Sequence, residues 1–189
     1  MEGRRPRTAC TTDGDVGATK SRKTLSAACA DVADALGRVG ANGYGDGVEA
    51  GIFDSRPGRV VKADVAVMLE CVRDELSAIQ ELWPRFERLV GLRGCRMYAM
   101  VTEGTYAACT PVREDDDPAR LGLDTAILPG GWYLQARIAG EPPGLYQRIG
   151  PAVEALEALA SPGDPARPVV EYYRRHDVIE LWVPVLANR

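Results

Sequence analysis

The chain has 189 residues, of which 46% are hydrophobic and 26% charged, with 23 Lys and Arg against 27 Asp and Glu and a formal net charge of −4. That balance fits one globular domain with an appendage and argues against a nucleic-acid partner, which needs a basic stripe. No apolar run approaches the roughly 18–20 residues of a membrane span. The opening stretch MEGRRPRTACTTDGD has no apolar core of a secretory signal, so a cytoplasmic protein without membrane or nucleic-acid partners is expected.

In chain order, residues 1–58 are mixed in Gly, Asp, Thr and Arg and read as a flexible N-terminal extension. Within it, Leu25, Ala28, Cys29, Val32, Leu36 and Val39 recur at helical spacing, so one short helix is expected between Thr24 and Gly40. Residues 59–189 form the predicted domain. RVVKADVAVMLECV is apolar and β-branched and reads as a strand. DELSAIQELWPRFERLVG places Leu76, Ile79, Leu82, Trp83, Phe86 and Leu89 on one helical stripe, with Pro84 inside it. CRMYAMV and TYAACTPV flank TEGT as a hairpin. The acidic tract Glu114–Asp117 reads as a solvated loop, because its consecutive carboxylates lack the alternating spacing of a calcium loop.

The series then repeats. AILPGGWYLQARIAG reads as a strand, EPPGLYQRIGPAVEALEALA as a helix, and RPVVEYYRR and VIELWVPV as a second hairpin around His176-Asp177. Two β-α-β-β units about 70 residues apart constitute an internal repeat. The expected fold is therefore α+β, with two tandem units side by side, helices on the outer face and a ligand cleft between the units.

Five cysteines, odd in number and without a CxxC pair, point to reduced thiols used as small core residues and to no metal site. The single histidine, His176, lies in a turn between strands, a poor position for nucleophilic chemistry.

Side-chain alternation makes VIELWVPV the most informative stretch. Ile179, Leu181 and Val183 share one face, and Glu180 and Trp182 share the other. With Tyr173 paired to Val178, Glu171 falls opposite Glu180, and the pair shares a face. In the first unit the equivalent register sets Tyr98 opposite Cys109 and Met100 opposite Ala107. One face then collects Tyr98, Met100, Ala107 and Cys109 from the first unit and Glu171, Tyr173, Glu180 and Trp182 from the second. Small residues confront large ones, and space is left for a small aromatic molecule. Two facing carboxylates repel when both are ionised, so one of the pair is expected to hold a proton and to serve as acid or base. Trp132 and Tyr133 are expected at the entry of the second unit's first strand, where Pro-Gly-Gly lets the backbone turn or approach a ligand closely; the alternative for both is core or rim packing.

The segments LPGGWYLQARIAGEPPGLYQRIGPAVEALEAL and RPVVEYYRRHDVIELWVPV carry Pro129, Gly131 and Tyr133, then Glu171 and Tyr173, then Glu180, Trp182 and Pro184. In this order they resemble the GyrI-like family and the related effector-binding domains of multidrug-sensing regulators, over residues 59–186. The resemblance implies two β-α-β-β units around a drug-sized pocket holding a glutamate among aromatic rings. Some stand-alone members of that family look like cofactor-independent hydrolases that open the cyclopropane of DNA-alkylating antibiotics. Others bind drugs or protein partners without chemistry.

The leading expectation is such a hydrolase, acting on an electrophilic aromatic compound for detoxification or self-resistance and needing no metal or cofactor. Glu180 is assigned as general base and Glu171 as second choice, with Tyr133 the third catalytic candidate, one of the rings that form the stacking wall and supply the hydrogen-bond donor to the developing phenolate. Trp132, Tyr173, Trp182, Tyr98, Met100 and Cys109 are assigned to the ligand. The alternatives are a protein that sequesters a drug or modulates a partner, and a ligand sensor.

Overall fold

The computed structural model describes residues 51–187. The helix expected between Thr24 and Gly40, like nearly all of the extension, lies outside the described residues. The last of the 1–58 segment packs on the second unit. Ile52 and Phe53 lie against its core, and the Asp54 carboxylate accepts hydrogen bonds from the Ala139 amide (2.8 Å) and Arg148 Nη2 (3.0 Å).

Twelve elements follow: β1 (Gly58–Lys62), β2 (Val65–Arg73), α1 (Leu76–Val90), β3 (Met97–Thr102), β4 (Thr105–Pro111), α2 (Pro118–Leu121), β5 (Asp124–Leu128), β6 (Gly131–Ala139), α3 (Gly144–Gln147), α4 (Ile149–Leu159), β7 (Val169–Arg175) and β8 (Val178–Pro184). The strands form one antiparallel sheet in the order β1-β6-β8-β7-β3-β4-β2-β5. The repeat is plain in this order, because β7 and β3 meet at the centre and equivalent strands lie outward on each side.

Two of the strands read from sequence are each divided. Ala63-Asp64 separates β1 from β2, and Pro129-Gly130 separates β5 from β6. Each lead strand then crosses to the other unit, β1 pairing with β6 and β5 with β2. The repeating unit is therefore β-β-α-β-β with exchanged lead strands, and the two crossings are related by the same symmetry. Lys62 pairs with Gly131, and Leu128 with Val65. Lys62 is thus the counterpart of Leu128.

The crossings touch. The Gly130 amide donates to Asp64 Oδ1 at 2.6 Å. A Cβ on Gly130 would stand 2.6 Å from the Lys62 carbonyl oxygen and 2.7 Å from the Asp64 nitrogen. Only glycine lets two backbones approach so closely.

Alternation along the strands divides the core. On the outer face, α1 covers the first unit through Leu82, Phe86 and Val90, packed on Met68, Ala99 and Ala108. The α1 stripe is rotated from the expected one, since Leu76 and Leu89 are exposed. Pro84 sits within the helix without ending it. On the second unit, Ala152 and Leu156 of α4 pack against Ile138, Ile179 and Leu181. The inner face carries a third cluster, including Val67, Leu69, Tyr98, Cys109, Tyr133, Val170 and Trp182. No helix among the described residues is long and apolar enough to cross a membrane. The short α2 follows the acidic tract, whose last residue, Asp117, caps its start by accepting from the Arg120 amide.

Of the described cysteines, Cys95 and Cys109 are free thiols. Cys71 is disulfide-bonded, which departs from the expectation of reduced thiols throughout.

Candidate functional site

A cavity of about 380 Å³ opens on the inner face, bounded among the described residues by the sheet on one side and the two crossings on the other. Tyr98 of β3, Tyr172 of β7 and Glu180 and Trp182 of β8 supply the sheet side. Lys62, Ala63, Val65, Leu128 and Pro129 come from the crossings, and Arg96 and Arg174 complete the lining.

Tyr98 and Tyr172 are paired across β3 and β7, and their rings stack at 4.6 Å with 18° between planes. Trp182 stands edge-on to Tyr98 at 5.8 Å and tilted to Tyr172 at 5.9 Å. Three rings therefore enclose one patch of apolar surface, an arrangement suited to a flat aromatic ligand. The Trp182 Nε1 is buried and has no hydrogen-bond partner among the described residues.

Glu180 is 5% exposed. Its Oε1 accepts from Arg174 Nη1 at 2.9 Å, and Arg137, its cross-strand partner on β6, shares its face. The Lys62 ammonium lies 4.0 Å from the centroid of the Trp182 ring, a cation–π distance. Partial burial lowers the Lys62 pKa, and the nearby Glu180 charge opposes that shift.

The first-unit register is as expected, with Tyr98 opposite Cys109 and Met100 opposite Ala107. In the second unit it is not. A bulge between Tyr173 and Arg175 shifts the pairing by one residue, so Tyr172 lies opposite Glu180 and Glu171 opposite Leu181. Glu171 and Tyr173 therefore face α1, away from the cleft. Glu171 and Glu180 do not face each other, so the mutual repulsion expected of that pair does not arise.

Glu171 instead belongs to a buried polar cluster. Its Oε2 accepts from the Tyr173 hydroxyl at 2.6 Å and the Tyr106 hydroxyl at 2.9 Å. Those hydroxyls lie 3.0 Å apart, and Trp83 Nε1 donates to Tyr106 at 3.1 Å. Burial raises the Glu171 pKa, against the lowering effect of the two hydroxyls. Burial, with Glu171 adjacent, raises both phenols well above their ordinary value, so they stay protonated and can each donate to Glu171.

The remaining candidates are placed as follows. Tyr133 is fully buried behind Trp182, its ring 6.0 Å away. Its hydroxyl is committed to the Pro129 carbonyl at 2.7 Å, so it is not a free proton donor. Trp132 lies on the outer side of β6, 39% exposed, with the Arg59 guanidinium 5.8 Å from its ring centroid. Met100 and Cys109 belong to the inner cluster without lining the cavity. Burial pushes the Cys109 thiol up to about 12. What approaches the Pro-Gly-Gly turn is the protein itself, because Arg167 donates to the carbonyls of Gly130 (2.8 Å) and Trp132 (2.9 Å). His176 is exposed, and no cluster of metal-ligating side chains occurs among the described residues.

Sequence reasoning missed Lys62, Arg96, Tyr172 and Arg174. Tyr172 adjoins the expected Tyr173, and the bulge turns Tyr172 rather than Tyr173 toward the cavity. Lys62 could have been found by aligning the two crossings, where it stands as the one charged counterpart of an apolar residue.

No family model matches the chain, and no curated protein matches it in sequence. In structure it is similar to an integron cassette protein from the mobile metagenome of Vibrio cholerae, with a TM-score of 0.56 at 17% identity, over 71% of this chain and 97% of that one. It is also similar to SAV2435 bound to tetraphenylphosphonium, with a TM-score of 0.51 at 16% identity, over 70% of this chain and 95% of that one. At these identities the likeness is one of fold, and the fold is the α+β arrangement expected from the GyrI-like resemblance.

Proposed function

We propose that the cleft binds a drug-sized aromatic compound. The observation that carries this reading is the three-ring enclosure of Tyr98, Tyr172 and Trp182 beside a buried carboxylate, at a cavity of about 380 Å³. A cavity of that size, combining aromatic rings with convergent polar and charged groups, suits small-molecule binding. The tetraphenylphosphonium bound by SAV2435 adds support, since that protein shares the fold. The test is calorimetric titration of the full chain with planar aromatics of positive, zero and negative charge. Saturable binding by at least one, lost in Trp182→Ala protein that remains folded, is expected. Binding by none would remove the reading.

A second reading adds hydrolysis of a cyclopropane fused to a cyclohexadienone, with detoxification as its purpose. It is favoured by Glu180, whose Oε1 is held by Arg174 while Oε2 has no hydrogen bond among the described residues. Glu180 would take a proton from a water as the water oxygen attacks the cyclopropane methylene. The carbon–carbon bond breaks, its electron pair enters the ring, and the carbonyl oxygen becomes a phenolate that is then protonated. The Lys62 ammonium and the Tyr98 or Tyr172 hydroxyl are the groups able to stabilise that oxygen. A general base contributes roughly 10²–10⁴-fold. Incubation with such a dienone should yield a product heavier by one water, and Glu180→Gln should abolish it. Full turnover by that variant would exclude the assignment.

A further inference from the structure

The charges around the cleft do not suit a cationic guest. Three cations line it, Lys62, Arg96 and Arg174, against the single carboxylate of Glu180. That carboxylate is already paired, with Arg174 Nη1 2.9 Å from Oε1, and Arg137 stands beside it on β6. The aromatic face that would receive a positive charge is also occupied, since Lys62 Nζ sits 4.0 Å from the Trp182 centroid. Asp64, the other carboxylate of the crossings, is held by the Gly130 amide and does not line the cavity.

From this arrangement we infer that the cleft selects an aromatic ligand bearing a negative charge, such as a carboxylate, sulfonate or phenolate, and disfavours a lipophilic cation of the same shape. The inference rests on the ligand-binding reading above and names its ligand class. Lys62 acts as a tethered cation that fills the cation–π position and turns the attraction of the site toward anions. An anionic group entering between Lys62 and Arg96 gains two charge-assisted contacts. A cation meets like charges and a blocked ring face. Replacing Lys62 restores the open aromatic face and leaves Glu180 with one fewer neutralising partner.

Tetraphenylborate and tetraphenylphosphonium test this, because they share a four-phenyl shape and differ in the sign of charge. Calorimetric titrations of the full chain, in sodium buffer without potassium, compare wild type with the double variant Lys62→Met and Arg96→Gln. Both positions are at least partly exposed, so the variant should fold, which circular dichroism checks. The wild type is expected to bind the borate at least about tenfold more tightly than the phosphonium, and the double variant to lose or reverse that preference. Because the two ions differ in hydration, the change in ratio between proteins is the deciding quantity. A phosphonium preference in the wild type, or a ratio unchanged in the double variant, overturns the charge selection and leaves ligand binding standing. Binding of neither ion by either protein overturns the charge selection, and the planar aromatic series then decides separately whether ligand binding stands.

Discussion

Glu171 and Glu180 lie on opposite faces of one sheet, because Glu171 pairs with Leu181 while Tyr172 pairs with Glu180. The bulge between Tyr173 and Arg175 decides this. It leaves Glu180 at the cleft, where the Arg174 guanidinium pairs with it, and turns Glu171 to the α1 side, where phenols alone donate to it. Two acids nine residues apart in a hairpin thus acquire different chemistry from a single extra residue.

The first consequence is a pH dependence of stability. Burial raises the native Glu171 pKa above its unfolded value. Between those two values the native state holds a proton that the unfolded chain has lost, so the contribution is full at low pH and falls as pH rises. Protonation also supplies a hydrogen for the third contact in the triangle of Glu171 Oε2, Tyr106 and Tyr173 oxygens. Glu171→Gln imitates the protonated acid. Urea unfolding from about pH 5 to about pH 8 should show the wild type losing stability relative to the variant as pH rises. A constant difference between them would show that Glu171 does not titrate in this way.

The stacked tyrosines make a second prediction. Tyr172→Ala removes one of three rings while Trp182 still packs on Tyr133 and Tyr98. Affinity for a planar ligand should fall by about 0.5–1.5 kcal/mol, roughly two- to tenfold. Tyr173→Phe, one residue away, should leave affinity unchanged and instead cost stability by disturbing the Glu171 cluster. Equal effects of the two on binding would contradict the register.

Gly130 bears on the meeting of the crossings. Gly130→Ala sets a Cβ 2.6 Å from the Lys62 carbonyl oxygen and 2.7 Å from Asp64 nitrogen, both backbone atoms. The crossings must separate, at a cost of about 1–3 kcal/mol. Gly144→Ala, with nothing within 4 Å of its Cβ, is the matched control and should change the melting temperature little. A Gly130→Ala protein as stable as the wild type would deny the close approach.

Cys109 should be chemically silent. It is fully buried, and burial pushes its thiol up to about 12. With iodoacetamide near pH 8, peptide mapping should find Cys109 unmodified until denaturant is added. Rapid labelling in the native protein would return it to the list of ligand contacts.

Much of the architecture was legible in the chain. Period-2 and helical patterns located α1, α4 and both hairpins, and the repeat was visible because matching apolar patterns recur with the same order. Alternation in VIELWVPV placed Glu180 and Trp182 on one face, since parity within a strand needs no knowledge of its neighbours.

What tertiary structure alone decided is everything that depends on pairing between segments. A bulge cannot be read from Glu171-Tyr172-Tyr173-Arg174-Arg175, because either tyrosine satisfies the local pattern, and only the partner strand selects which one meets the cleft. Likewise the sequence marks Ala63-Asp64 and Pro129-Gly130 weakly as breaks, and the exchange of β1 and β5 between units depends on which edge each strand completes. That exchange carries Lys62 to the Trp182 ring. Side-chain parity is a property of one strand, whereas register and strand order are set by burial summed over the whole sheet.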